Sequence, residues 1–326
     1  MKDKQKPATG LRQIAPRYWP SWLGIGLMRL VILLPYSVQL AIGRTLGRLF
    51  RLLNPYRRIL VETNLRLCFP ELAGNERRLL RNRCYESLGM TIVETAAALW
   101  APDSFFPKLG RIEGLEHLEA AHRDGKGVLL LSGHFCSLDF AGRLLMRHHP
   151  VCFTYQELRN RLLDQRVKQA RQQKCQQLIH RHDIRGFVKA LKAGSVVWYA
   201  PDQDQGLKSS VFAPFFGIPT NTLTATTKLA RLTGAAVMPF LIRRLPGARG
   251  YALTIQPALQ DFPGSDETAD ATRFNALLEE QIRANPEHYL WIHRRFKTRP
   301  PGEPKLYPPK PRRAKRLERL RRAGKL

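Results

Sequence analysis

Acidic residues are scarce in this chain. Its 326 residues include 26 Asp and Glu against 54 Lys and Arg, a net charge of +28. That imbalance excludes a cationic partner and points to an anionic one: a phosphorylated substrate, an acidic membrane surface or nucleic acid. Cysteine is also sparse. Cys68, Cys84, Cys136, Cys152 and Cys175 form no CxxC pair and no framework spacing. A secreted disulfide scaffold and a zinc ribbon are excluded, and reduced thiols on the cytoplasmic side are expected. The 23 Gly and 23 Pro follow no Gly-X-Y period, which excludes a collagen-like rod. Beyond residue 50 no apolar run reaches 18 residues, and no internal repeat occurs.

What is present builds a core. Apolar residues make up 44% of the chain, too many for a disordered protein. Of the cations, 38 are Arg and 16 are Lys, a bias that suits bidentate contact with phosphate or carboxylate.

The N-terminus raises a membrane question. After a basic leader comes Tyr18-Trp19-Pro20-Ser21-Trp22, then an apolar run from Leu23 to Ile42 broken only by Arg29 and Pro35. Twenty residues can cross a bilayer core of roughly 30 Å, and the aromatic cluster fits an interfacial belt. We therefore expect an N-terminal membrane helix within residues 1–50. A helix lying in one leaflet is the rival, because Arg44, Arg48 and Arg51 recur at helical spacing; a buried core helix is the third reading. No small-x-small site follows the run, which argues against a cleaved signal peptide.

From Arg51 to about Ala101 the pattern is helical. Short apolar runs then appear at Gly127–Ser132, Ser195–Ala200, Ala235–Arg243 and Tyr251–Ile255. Helical stretches separate them at 140–147, 161–178, 185–192 and 223–232. The alternation predicts an α/β fold with a mixed, largely parallel sheet and flanking helices over 51–304. The remaining segment, 305–326, holds ten Lys or Arg and one acid, Glu318. It reads as a basic helix or disordered arm: a solvated charge run first, a surface for anionic lipid next and for nucleic acid last.

The sharpest chemical feature is Ser132-Gly133-His134-Phe135-Cys136-Ser137-Leu138-Asp139. His134 stands just past an apolar strand, at the edge where open α/β sheets bind ligands. Asp139 follows five residues later, early in a helix. A carboxylate on one imidazole nitrogen fixes the tautomer, so the other nitrogen can take a proton from a hydroxyl. Cys136 reads as a small buried hydrophobe rather than a nucleophile. Cys175, His180 and His182 lack a fourth partner for a metal, and no metal or cofactor is expected. Asp202-Gln203-Asp204 follows another strand and is a candidate site wall, with a glycosyltransferase-like metal site as its alternative. Trp291-Ile292-His293-Arg294-Arg295-Phe296-Lys297 interleaves cations with aromatics, a pattern suited to gripping phosphate or acidic sugar, with a basic face of cation–π packing as the alternative.

These blocks carry a likeness. With Pro16-Arg-Tyr-Trp19, Asn64-Leu-Arg-Leu-Cys-Phe-Pro-Glu71, Gly194 to Asp204, Ser209-Ser-Val-Phe212 and Pro286 to Pro300, the chain resembles the late acyltransferases of lipid A biosynthesis. The resemblance runs from about Arg17 to Tyr307. It implies transfer of a fatty acyl chain from acyl carrier protein to a 3-hydroxyacyl chain of a Kdo-bearing lipid A precursor, without a metal, at the inner membrane. Anionic lipid is an implied partner and nucleic acid is not. It also implies His134 as general base with Asp139 orienting it, and substrate contacts at Asn160, Asp202, Asp204, Arg294, Arg295 and Lys297. The sequence departs from the lauroyl-type pattern after Tyr155, where Gln156-Glu157 replaces Arg-Pro while Asn160 is kept; Arg159 or Arg161 is the candidate substitute. The acid is Asp139 where many lauroyl-type members carry Glu.

Overall fold

The computed structural model describes residues 13–309, so the basic tail beyond 309 and the leader before 13 lie outside the described residues. The apolar run near the N-terminus is two helices, α1 (Trp19–Val31) and α2 (Tyr36–Leu53), parted at Pro35. This corrects the expected membrane-spanning helix. Thirteen residues rise only about 20 Å, and α2 carries Arg44, Arg48 and Arg51. Among the described residues no helix is long and apolar enough to cross a membrane. The bend is held from inside: buried Gln39 donates to the Ile32 and Leu34 carbonyls at 3.1 and 2.8 Å, satisfying acceptors that the end of α1 leaves open.

Next come α3 (Pro55–Cys68) and the long α4 (Gly74–Trp100). The backbones of α2 and α4 approach closely where Gly43 and Gly47 face Gly89; a Cβ on Gly47 would strike the Tyr85 carbonyl. Only glycine admits that contact.

The sheet follows. Its strands are β1 (Gly110–Glu113), β2 (Val128–Leu131), β3 (Val151–Tyr155), β4 (Gln177–His180) and β5 (Val196–Tyr199). A separate antiparallel hairpin, β6 (Ser210–Phe215) and β7 (Ile218–Leu223), precedes β8 (Ala236–Arg244) and β9 (Tyr251–Ile255). The seven-stranded order is β1-β9-β8-β2-β5-β3-β4, parallel throughout except between β8 and β9. Helices α5 (Leu115–Arg123), α6 (Leu138–Leu145), α7 (Arg161–Gln172), α8 (Ile184–Lys192), α9 (Ala225–Thr233) and α10 (Glu267–Ala284) complete the layers. The expected α/β class with a mostly parallel mixed sheet is therefore observed. The stretch expected to be helical through 178 ends at Gln172, and its last residues form edge strand β4 instead.

Strand β2 lies near the middle of the sheet and is buried throughout, which is why it reads as an unbroken apolar run. Its side chains alternate between two cores. Leu129 and Leu131 join Val197, Leu229 and Leu278 on one face; Val128 and Leu130 join Trp198, Phe140 and Phe240 on the other.

A buried polar network ties α4 to the sheet. Arg244 at the end of β8 donates to the two Glu94 oxygens at 2.6 and 2.8 Å. It also donates to Ser87 Oγ at 2.9 Å and Ser137 Oγ at 2.6 Å. The Ser137 hydroxyl in turn donates to Glu94 at 2.7 Å. Ser137 sits at φ +72°, an uncommon backbone for a residue with a Cβ, and directly precedes α6. The network holds that strained corner in place.

Candidate active site

His134 lies three residues beyond β2. Its backbone is gripped by the segment that follows α10: the Leu290 N–H donates to the His134 carbonyl at 3.0 Å, and Cys136 N–H donates to the His288 carbonyl at 2.6 Å. Gly133 leaves room for the turn, since a Cβ there would collide with Leu278.

The carboxylate on the His134 ring is Asp202. Asp202 Oδ1 stands 2.5 Å from His134 Nδ1, and the same carboxylate accepts the His134 backbone N–H at 3.0 Å and the Tyr289 hydroxyl at 2.9 Å. The register explains the meeting. Leu131 of β2 pairs with Tyr199 of the neighbouring parallel strand β5, so the residues three steps further along each chain, His134 and Asp202, arrive side by side. Asp202 is buried. Burial alone would raise its carboxyl, but His134 and the hydrogen bonds hold it well below the usual carboxylate range. Burial opposes charging of His134, yet the Asp202 charge and hydrogen bond win and raise its proton affinity. With Nδ1–H committed to Asp202, Nε2 has no hydrogen-bond partner among the described residues.

The expected His134–Asp139 pairing is therefore corrected. Asp139, in the first turn of α6, accepts from Arg171 Nη2 at 2.6 Å and from Thr95 Oγ1 at 3.1 Å. The first turn of α6 thus meets α4 and α7 through Asp139. A second imidazole stands beside His134: the His293 ring lies 5.8 Å from that of His134, centre to centre. Burial first, and the His134 charge next, push its pKa down to about 4. It meets Gln203 Nε2 at 3.2 Å.

Other expected contacts are engaged within the fold. Asn160 caps α7 by accepting from Leu163 N–H at 3.2 Å and donates to Ser21 Oγ at 2.7 Å, joining α7 to α1. Asp204 is a structural clasp: it accepts from the Thr298 N–H at 2.6 Å, the Thr298 hydroxyl at 2.9 Å and Gly206 N–H at 3.0 Å. Arg295 is buried and spends its guanidinium on the Asn221 carbonyl, Thr222 and Asn275 at 2.8–3.2 Å. All three are thus tied into the fold, with Arg295 Nε buried and without a hydrogen-bond partner among the described residues. Arg294 stacks over the Tyr307 ring at 5.2 Å, and exposed Lys297 pairs with Asp204 at 3.4 Å. Arg171, Thr95, Tyr289 and His293 complete the site without a local sequence signal; their partners lie at least 32 positions away in the chain.

An imidazole oriented by a buried carboxylate, its second nitrogen without a partner among the described residues, at the carboxyl edge of a largely parallel sheet, has a geometry able to take a proton from a hydroxyl. The comparisons specify the family. The chain matches the model of the bacterial lipid A biosynthesis acyltransferases over residues 9–298, and it belongs to that family. It is 40% identical over 293 residues to the lipid A biosynthesis palmitoleoyltransferase of Escherichia coli (strain K12), covering 90% of this chain and 95% of the relative. It is also 40% identical over 308 residues to the lauroyltransferase of the same organism, covering 94% and 100%. A lipid A biosynthesis acyltransferase of Haemophilus influenzae is 37% identical over 312 residues, covering 94% and 100%. The chain is an acyltransferase of lipid A biosynthesis. Equal identity to a palmitoleoyl- and a lauroyltransferase leaves chain length to the site itself.

Proposed function

We propose that this acyltransferase moves a fatty acyl chain from acyl-acyl carrier protein to a hydroxyl of a hydroxyacyl chain on a Kdo-lipid A precursor, at the cytoplasmic face of the inner membrane. The observation that carries the reading is the His134–Asp202 pair with His134 Nε2 free. His134 Nε2 takes the proton as the acceptor oxygen attacks the thioester carbonyl. The new C–O bond forms, the C–S bond breaks, and the imidazolium returns its proton to the departing thiolate. Asp202 fixes the tautomer and stabilises the imidazolium, the positioning role first expected of Asp139. Asp139 instead anchors the Arg171 guanidinium beside the cleft they share.

Membrane attachment rests on α1. Trp19, Leu23, Leu27 and Leu30 are exposed at helical spacing along it, and Leu33 and Leu34 continue the apolar surface at the bend. Such a stripe, with Arg44, Arg48 and Arg51 following on α2, fits helices seated in one leaflet and drawn to anionic lipid.

The test supplies acyl carrier protein loaded with chains of several lengths, a Kdo-lipid A precursor and a chelator to membranes carrying either the protein or His134→Ala. Mass spectrometry of the lipid should show one added acyl chain with the unsubstituted protein, and a loss of at least about 10²-fold in rate with the variant. No gain with any donor would instead direct attention to another lyso-lipid acceptor. Undiminished transfer by His134→Ala would overturn the mechanism.

A further inference from the structure

A shallow cleft, open at its mouth, lies between α4, α6, β3 and α7. Its floor is apolar, with Leu99, Met146, Phe153 and Ala170. Phe153 stacks on Trp198 with ring centres 6.0 Å apart, and the Trp198 edge faces His134 at 6.4 Å. The cleft thus runs beside the Asp139–Arg171 pair to within one aromatic ring of the proposed base.

Its wall carries more positive charge than the fold answers. Arg143 is buried, held against the Phe106 ring at 5.2 Å, and its Nε has no hydrogen-bond partner among the described residues. Asp103 is its ion-pair partner. The same carboxylate lies 3.6 Å from Lys174 Nζ, and its residue's carbonyl accepts from Arg147 at 2.5 Å. One largely exposed carboxylate therefore serves two cations, with Arg147 held beside them by a neutral carbonyl, while Arg171 is taken by Asp139. Burial, and then the neighbouring cation, lower the proton affinity of both Arg143 and Lys174. An unpartnered buried guanidinium nitrogen is costly, and a dianion at the mouth of the cleft would relieve both the nitrogen and the repulsion.

We propose that Arg143 and Lys174 form a phosphate subsite, with Asp103 as a resident counter-ion that a substrate phosphate displaces. The ligand is a phosphate ester on a flexible arm whose apolar part lies along Phe153 and Met146. Two substrates in the proposed reaction bear such a group: the donor, as the phosphodiester of a carrier protein's prosthetic arm, and the acceptor, as a phosphorylated glycolipid. The assignment of the ligand rests on the proposed function; the existence of the subsite does not.

The experiment uses the full chain with Lys174→Gln and Asp103→Asn, both changes near the mouth, so that buried Arg143 is left in place. Thermal unfolding against inorganic pyrophosphate reads the subsite without turnover. Pyrophosphate should raise the Tm of the unsubstituted protein, raise it further in Asp103→Asn, and lose most of its effect in Lys174→Gln. Steady-state kinetics then identify the ligand: Lys174→Gln should raise the KM of one substrate about tenfold, the scale of one lost charged hydrogen bond, and Asp103→Asn should lower that same KM. Which KM moves, donor or acceptor, names the source of the phosphate. A merely structural ion pair would weaken in both variants alike. Absence of a pyrophosphate shift, or a shift equal in all three proteins, would overturn the subsite. A shift with neither KM altered would overturn its assignment to substrate.

Discussion

The Asp202 carboxylate accepts three hydrogen bonds while buried, two of them from His134 itself. This ties the charge state of the imidazole to that of one acid. In the proposed mechanism the active form has Asp202 charged and His134 neutral at Nε2. Because Asp202 raises the His134 pKa, activity should fall as the pH drops through a value above the ordinary 6.5 or so. In Asp202→Asn the raising charge is gone and burial alone acts, so the acid limb of kcat/KM should move to lower pH. The plateau should fall by about 10²- to 10⁴-fold. A pH profile of the two proteins checks both the direction and the loss; an unmoved limb would separate Asp202 from the base. His134 was legible in the sequence because it follows an apolar strand. Its partner was not, because Asp139 stood at a plausible spacing while the order of β2 and β5 is not written in either segment. Arg295 misled for a similar reason: a cation among aromatics reads as a surface grip until the hairpin and α10 close over it.

Among elements, α4 holds the most together, meeting α2 through glycines and β8 through Glu94 and Arg244. Both ions are buried, and each compensates the other. Removing one should cost about 3–5 kcal/mol, since the remaining charge loses its partner without gaining water. Urea unfolding of Glu94→Leu and Arg244→Met should show that loss singly, and the double variant should recover a large part of it. Full additivity of the two losses would mean that the pair is not coupled. The stronger strands, β2, β5, β8 and β9, were legible as apolar runs. Strands β1, β3 and β4 and the β6–β7 hairpin were not: β1 and β4 are edge strands with mixed residues, and β4 continues a stretch whose spacing suits a helix. The break at Pro35 shows the same limit, since hydropathy sums over a bend that Gln39 has to cap.

The molecule as a whole presents two faces that fit its proposed place, an apolar stripe on α1 and a surplus of cations. If α1 rests in one leaflet, the protein should bind vesicles containing anionic lipid and be partly released by high salt. Leu23→Asp with Leu30→Asp should cut the bound fraction by more than about tenfold, as each buried leucine contributes roughly 1.5–3 kcal/mol. Sedimentation with vesicles measures this. Binding unaffected by the double change would place the contact elsewhere.

Composition and short-range pattern were enough to establish an α/β protein, a histidine at a strand end and, through blocks of residues in order, a family likeness. Those properties are carried by residues close together in the chain, where periodicity and spacing act directly. The identity of the carboxylate on His134, the burial of Arg295, the clasp role of Asp204 and the cation-rich cleft were decided only by the tertiary structure. Each depends on which strands and helices become neighbours, a choice made by packing the whole core rather than by any one segment.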